Sequence, residues 1–115
     1  MGLNSTALNL MLDALAAVIG FVSLHTDTVG SGSGNEVTGG SPAYARKAIT
    51  WNSASSGNLD SSNTPVFDVP ATTVARVGFW SASTGGTFYG DGEVTDEVFA
   101  AQGTYTLTDA DISIT

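Results

Sequence analysis

The sequence predicts a mainly β protein: an antiparallel β-sandwich or barrel-like domain of about seven or eight strands with one α-helix at its amino end. Short runs of β-branched and aromatic residues recur along the chain, and turn residues separate them every eight to twelve positions, as in all-β domains. Only 12% of the 115 residues are charged, and 14 are glycine. This length is ordinary for one domain. We therefore expect residues 1–115 to form a single domain, with a helix over about 5–17 and a β domain over about 18–115.

The helix is predicted from its cap and its spacing. Asn4 or Ser5 can cap the first turn, and apolar residues then follow at helical intervals, at positions 8, 11, 12, 15 and 19. From Val18 onward the residues are β-branched or aromatic, which favours a first strand over residues 20–26.

Residues 27–42 hold five glycines and few apolar side chains. We expect a long surface loop that does not order itself by local burial. Residues 43–51 alternate in a way that predicts a strand, residues 52–63 are rich in turn formers, and residues 64–69 predict the next strand.

The second half of the chain predicts five further strands. Residues 74–82 are largely apolar and predict the core strand, with Gly78 where a large neighbour or a bulge approaches. The Thr84-Gly85-Gly86 segment predicts a hairpin turn into residues 87–89, and Asp91-Gly92 predicts another turn before residues 97–101. Residues 104–108 and 112–115 are expected to close the chain as a hairpin.

Charge and composition exclude several function classes. Eleven acidic and three basic residues give a net charge of −8, which repels nucleic acid and anionic membranes. Without cysteine the chain has no disulfide, thiolate nucleophile or thiolate metal ligand. The apolar residues 3–24 are interrupted by polar side chains, and no Lys or Arg precedes Arg46, so we expect no secretory signal and assembly in the host cytoplasm.

His25 is the one histidine and could serve as a general base or metal ligand. No second histidine or cysteine accompanies it, which favours a half-buried polar strand residue. The Gly-x-Ser-x-Gly motif at residues 30–34 lacks the strand-to-helix context of a nucleophile elbow. We therefore predict no catalytic residue, no cofactor and no metal site, and a protein that is not an enzyme.

The densest acidic cluster comprises Asp91, Glu93, Asp96 and Glu97. It could hold a calcium ion, but its spacing does not match an EF-hand loop. A solvated turn, or a patch that faces a basic surface, is the favoured interpretation. The three cations, Arg46, Lys47 and Arg76, are expected to pair with carboxylates inside the domain or across a contact.

Four segments of the chain, SLHT at 23–26, NEVTGGSPAYARK at 35–47, VGFWS at 77–81 and FAAQGTYTL at 99–107, resemble small proteins encoded among the virion structural genes of actinobacterial phages. Those proteins are often labelled tail-fibre proteins. The resemblance implies a virion structural protein of a tailed phage.

Length helps to choose a location on the particle. A fibre that projects needs repeats, coiled coils or β-helical stretches, and this chain has none. The favoured hypothesis is a head decoration or minor capsid protein, a homo-oligomer that binds and stabilises the major capsid protein lattice. The alternative is a tail-associated or fibre-tip module that contacts tail proteins or host-surface glycans. A small hydrolase using His25 is a third hypothesis.

The contact with the particle is predicted to involve the glycine-rich loop and the excess apolar surface of the helix, because both could be ordered or covered by a neighbour. The residues predicted for this interface are Leu3, Leu10, Val29, Gly34, Asn35, Glu36, Arg46 and Lys47.

Overall fold

The computed structural model describes residues 2–113, which form one helix, α1 (Ser5–Ala16), and eight strands. The Oδ1 atom of Asn4 accepts a hydrogen bond from the backbone N–H of Ala7 at 2.9 Å, so Asn4 is the helix cap. The strands are β1 (Phe21–His25), β2 (Lys47–Ala48), β3 (Asn58–Asp60), β4 (Val66–Val69), β5 (Thr72–Trp80), β6 (Phe88–Phe99), β7 (Gly103–Thr106) and β8 (Asp111–Ser113).

All strand pairs are antiparallel. Four strands form one sheet in the order β2-β1-β5-β6, and two smaller sheets pair β3 with β8 and β4 with β7. The strands of residues 2–113 do not close into a barrel. The prediction of a mainly β, antiparallel fold of about seven or eight strands with one helix is confirmed.

The core lies against the two central strands of the large sheet, β1 and β5. Val22, Leu24 and Val74 are completely buried, and Phe67 of β4 packs between the rings of Tyr44 and Tyr105. The core-strand prediction for residues 74–82 is confirmed, with both strand ends two residues earlier than predicted. Strand β5 buries four consecutive residues from Val77 to Trp80.

The largest departure from the predicted elements is β6. The sequence predicts two short strands with a turn at Asp91-Gly92, but β6 runs unbroken for 12 residues, and Asp91 and Gly92 pair with Gly78 and Val77 of β5. The long partner strand supplies a hydrogen-bonded ladder that outweighs the local turn preference of an Asp-Gly pair.

The strand predicted over residues 43–51 is mostly wrong, because only Lys47 and Ala48 join the sheet. Strand β3 lies in the stretch predicted to be turns. The predicted closing hairpin is also wrong, because β7 pairs with β4 and β8 pairs with β3. These partners are distant in sequence, so local patterns do not predict the pairing. Residues 114 and 115, which belong to the last predicted strand, lie outside the described residues.

The glycine-rich segment from 27 to 42 is better packed than predicted. Val29 and Val37 are 1% and 3% exposed. The backbone of Glu36 forms an isolated antiparallel β-bridge with that of His25 at the end of β1. Gly32 lies against Trp80, where a Cβ atom would approach the indole to 2.8 Å. The loop is therefore ordered by contacts with other residues of the same chain. The described structure measures 49 × 24 × 21 Å.

Candidate interaction surfaces and the buried polar network

A chain of hydrogen bonds passes through the centre of the molecule from β5 to the glycine-rich loop. The indole N–H of Trp80 donates to Ser23 Oγ at 2.8 Å, and Ser23 Oγ lies 2.6 Å from His25 Nε2. His25 Nδ1 donates to the carbonyl oxygen of Gly34 at 2.7 Å. The Gly34 carbonyl can only accept, so Nδ1 carries the proton and Ser23 donates to Nε2.

This arrangement resembles half of a catalytic triad but offers no access to a substrate. Ser23 and His25 are both fully buried, and the group that orients the imidazole is a backbone carbonyl and not a carboxylate. Burial lowers the pKa of His25, which keeps the ring neutral. His25 is therefore more buried than the half-buried residue predicted from sequence, and it ties the loop to the sheet.

A second polar group, centred on Arg46, holds the same loop from outside. Arg46 makes two hydrogen bonds of 3.1 Å to the carboxylate of Glu36, and its guanidinium carbon lies 3.7 Å from the ring centre of Trp80. Tyr44 donates from its hydroxyl to Glu36 at 2.9 Å and accepts from the backbone N–H of Leu24. Burial raises the pKa of the Tyr44 phenol, so it stays protonated.

The predicted interface residues fall into two groups. Leu3 and Leu10 are 61% and 68% exposed, so both are free to meet a partner. Val29 is buried, and Gly34 is half-buried with its carbonyl bonded to His25. The structure does not bring these four residues together into one surface.

The other four predicted interface residues belong to the Arg46 group or adjoin its members in sequence. Glu36 and Arg46 are paired, with side chains only 17% and 8% exposed. Asn35 is exposed and donates from its side-chain amide to the carbonyl of Thr28. Lys47 is half-buried on β2 and has no ion pair among residues 2–113. Whether any of the eight residues contacts the particle stays a prediction.

The acidic cluster predicted at residues 91–97 lies along β6. Arg76 of β5 reaches Glu93 at 2.9 Å and Asp91 at 3.9 Å, which confirms the internal pairing predicted for this cation. Asp96 and Glu97 are exposed farther along the strand. The four carboxylates are therefore spread along one strand and do not form a closed cation site.

A different acidic group is brought together by the pairing of β3 with β8. Carboxylate oxygens of Asp60, Asp109 and Asp111 lie within 4.8 Å of one another, which is close enough to share a divalent cation. A hydrogen bond to Asp60 is the main cause that raises the pKa of Asp111 to about 6. This group could not be predicted from local sequence patterns, because Asp60 is distant in sequence from the other two.

Exposed apolar side chains are a further feature of the surface. Leu10 and Met11 of α1 are 68% and 49% exposed, and Val98 of β6 is 74% exposed. No helix within residues 2–113 has the length and apolar character needed to cross a bilayer.

The fold and these contacts define a mainly β protein whose two central polar groups hold its own loop in place. Several of its apolar side chains are exposed to solvent. Residues 3–115 match the family described as Podophage GP4 fiber I protein gp80, and the chain belongs to this family. None of the curated proteins compared with the chain matches it.

Membership of a phage fibre family makes this a virion structural protein. The family supports the tail-fibre alternative better than the favoured hypothesis of head decoration. It also agrees with the prediction of a protein that is not an enzyme.

Proposed function

We propose that this chain is a structural component of a phage tail fibre, a folded module that joins neighbouring fibre or tail proteins by non-covalent contacts. One observation carries the proposal: the family match covers residues 3–115, so it includes α1 and all eight strands. The domain itself, and not an appended segment, is what the fibre family has in common.

The geometry favours a joining module over a shaft. The domain is 49 Å long and holds no repeat, so it cannot supply a long projection alone. A fibre protein must project only if it forms the shaft of the fibre. The base, joints and tip of a fibre can be short globular modules, so the short length of this chain does not favour head decoration.

We propose that the apolar face of α1 is one of the contacts. Leu10 and Met11 lie on a helix whose Leu12 is completely buried, so the helix has one face in the core and a second apolar face in solvent. A neighbouring fibre or tail protein, or a second copy of the chain in a homo-oligomer, would bury that face and gain the free energy of its removal from water.

Labelling of purified particles tests the proposal. An epitope tag on this protein, located by electron microscopy, is expected at the tail, with few copies per particle by quantitative mass spectrometry. A label spread over the head lattice would contradict the fibre role and restore head decoration with the major capsid protein as partner.

The same particles test the helix contact. Leu10→Ser is expected to reduce incorporation of the protein, because it removes an exposed apolar group from the contact without touching the core. Val66→Ser is the control for loss of an exposed apolar side chain, since Val66 is 51% exposed and belongs to β4, not to α1. Equal incorporation of the two variants would exclude the α1 contact.

A further inference from the structure

We propose that a groove along the free edge of β6 receives an extended, basic segment of another polypeptide, which adds to the large sheet as a fifth strand. The inference rests on the proposed function in one respect: the segment is expected to belong to another protein of the particle. Four features of the groove support it, namely an open strand edge, two glycines, an apolar floor and acidic walls.

The open edge is the first feature. Strand β6 is the last strand of the four-stranded sheet and runs for 12 residues, from Phe88 to Phe99. Its inner edge pairs with β5, and no backbone hydrogen bond from its outer edge to another described residue is present. An edge of this length offers a row of N–H and C=O groups that an extended peptide can pair with.

Two glycines in β6 keep the space beside that edge open. Gly90 and Gly92 pair with Phe79 and Val77 and lie on the same face of the sheet as these two residues. On that face, β6 therefore has no side chain at two neighbouring pairing positions. A Cβ atom at Gly90 would meet nothing within 4 Å, and one at Gly92 would make only an ordinary contact of 3.8 Å with Val77. Neither glycine has a positive φ. Neither the packing nor the backbone geometry of this chain therefore requires glycine at positions 90 and 92. Close approach of another polypeptide backbone would require it.

The missing side chains leave a cleft of about 290 Å³ with an apolar floor. Its apolar lining includes Leu15, Ile19, Val77, Phe79, Leu107 and Ile112. The cleft continues into a second one between residues 93–97 of β6 and residues 105–109. Alternate side chains of a strand point to the same side about 7 Å apart, so an added strand could place successive apolar side chains along this floor.

The walls of the two clefts identify the charge of the occupant. Six of the eleven acidic residues line them, and none of their described lining residues is basic. The six are Asp91, Glu93, Asp96, Glu97, Asp109 and Asp111. Arg76 of the neighbouring strand β5 pairs with two of the six, and the other four have no ion pair within residues 2–113. A segment whose outward side chains are Lys or Arg would be attracted and oriented by these carboxylates. A second copy of this chain is disfavoured, because it carries a net charge of −8 and only three cations.

Carboxylates on an edge strand have a simpler use, which is to repel other strands and prevent aggregation. That use accounts for the acidic walls. It does not account for two glycines that leave the apolar floor uncovered, where larger residues would close the cleft and strengthen the strand.

Peptide binding separates the two explanations. The full chain is mixed with an eight-residue peptide of alternating Lys and Val, and separately with the same peptide carrying Glu in place of Lys. We expect the basic peptide to bind and to slow amide hydrogen exchange in β6, and the acidic peptide to leave exchange unchanged. Equal effects of the two peptides, or no effect of either, would overturn the proposal.

Variants show whether binding uses the groove. Gly90→Val fills the cleft and is expected to weaken binding of the basic peptide at least tenfold while leaving the thermal midpoint unchanged or higher. Gly20→Val is the matched control, because a Cβ atom there also meets nothing within 4 Å and Gly20 lies outside the groove. If Gly90→Val misfolds, the exposed pair Asp109→Asn and Asp111→Asn tests the same prediction through charge. A Gly90→Val or double Asn variant that folds and binds like the parent protein would overturn the proposal.

Cross-linking in the particle tests the source of the segment. A photo-reactive side chain in place of Tyr89, which lines the cleft, is expected to link to a peptide that carries Lys or Arg from another virion protein. Links only to a second copy of this chain, or none, would refute the proposed occupant even if the protein is found at the tail. Absence of the protein from the tail would instead reject the proposed function, and the peptide experiment would still decide whether the groove binds basic strands.

Discussion

At the scale of single residues, Gly78 decides how the buried polar network is built. It pairs with Ser23 across β1 and β5, and the side chains of Ser23, His25 and Trp80 all lie over it. The sequence predicts a close neighbour at Gly78, and the structure confirms it. The sequence alone could not predict which side chains lie next to Gly78, because they depend on the register of two strands more than fifty residues apart in sequence.

Gly78→Ala is expected to destabilise the domain. A Cβ atom at this position would lie 2.5 Å from Ser23 Oγ and 3.0 Å from His25 Nε2, and neither side chain can move away without breaking a buried hydrogen bond. Overpacking of this kind costs about 1–3 kcal/mol in the free energy of unfolding. Urea denaturation measures the change.

Gly92→Ala is the control for that measurement. Gly92 lies in β6, where its Cβ atom would make one contact of 3.8 Å, so the substitution is expected to leave stability unchanged or slightly higher. If the two alanine variants were equally stable, the close approach at Gly78 would be of no energetic consequence.

At the scale of elements, the glycine-rich loop shows how a segment without much apolar surface becomes ordered. Two buried valines, the Gly34 carbonyl and the Glu36–Arg46 pair each attach it to the sheet. From its sequence the loop is expected to need a neighbour that orders it, since its glycines and serines give no sign of these contacts. Tyr44 and Arg46 both donate hydrogen bonds to Glu36 of the loop. The segment around them therefore packs on the loop, and only two of its residues join the sheet as β2.

The Glu36–Arg46 pair is expected to stabilise the fold far more than the Arg76–Glu93 pair. The first pair is bidentate, with side chains 17% and 8% exposed, whereas Arg76 and Glu93 are 28% and 75% exposed. Breaking a buried pair costs about 3–5 kcal/mol, whereas exposed pairs contribute about 0–1 kcal/mol. Double-mutant cycles with Gln for Glu and Met for Arg measure both couplings in one chain, and equal coupling energies would contradict this account.

Prediction from sequence succeeded where the signals were local. The helix begins and ends within one residue of its predicted bounds, and β1 and β5 lie within two residues of theirs. It failed where pairing is distant. The Asp91-Gly92 turn was overridden by β5, and β3 was not predicted. Strands β7 and β8 lie near their predicted positions, but local patterns do not reveal that they pair with β4 and β3.

At the scale of the whole molecule, the acidic residues are unevenly placed. Six line the groove beside β6, and Asp60 stands next to Asp111. Net charge alone predicts that nucleic acid and membranes are not partners, but it could not show that six of the carboxylates line a groove beside an edge strand. Shape had a similar limit, because overall length distinguishes a shaft from a module and does not locate the module on the particle.

Two groups are expected to give the stability of the protein opposite dependences on pH. Burial lowers the pKa of His25 below its ordinary value of 6.5, so its contribution is fully present above pH 6.5 and is lost as the pH falls through the lower value. The pKa of Asp111 is raised from 3.8 to about 6, so its contribution is fully present below pH 3.8 and is lost as the pH rises through about 6.

Substitution of each group isolates its share of the pH dependence. Asp111→Asn cannot ionise, so its stability relative to the parent protein is expected to rise from pH 4 to pH 7, as the parent's carboxylate loses its proton beside Asp60 and Asp109. His25→Gln is expected to be less stable than the parent at pH 7, because it disturbs the buried bonds to Ser23 and Gly34. Its deficit should shrink toward pH 5, where only the parent must keep a buried imidazole neutral. Free energies of unfolding in urea at pH 4, 5, 6 and 7 measure both trends. Differences from the parent that stay constant across this range would show that neither group titrates differently in the folded protein.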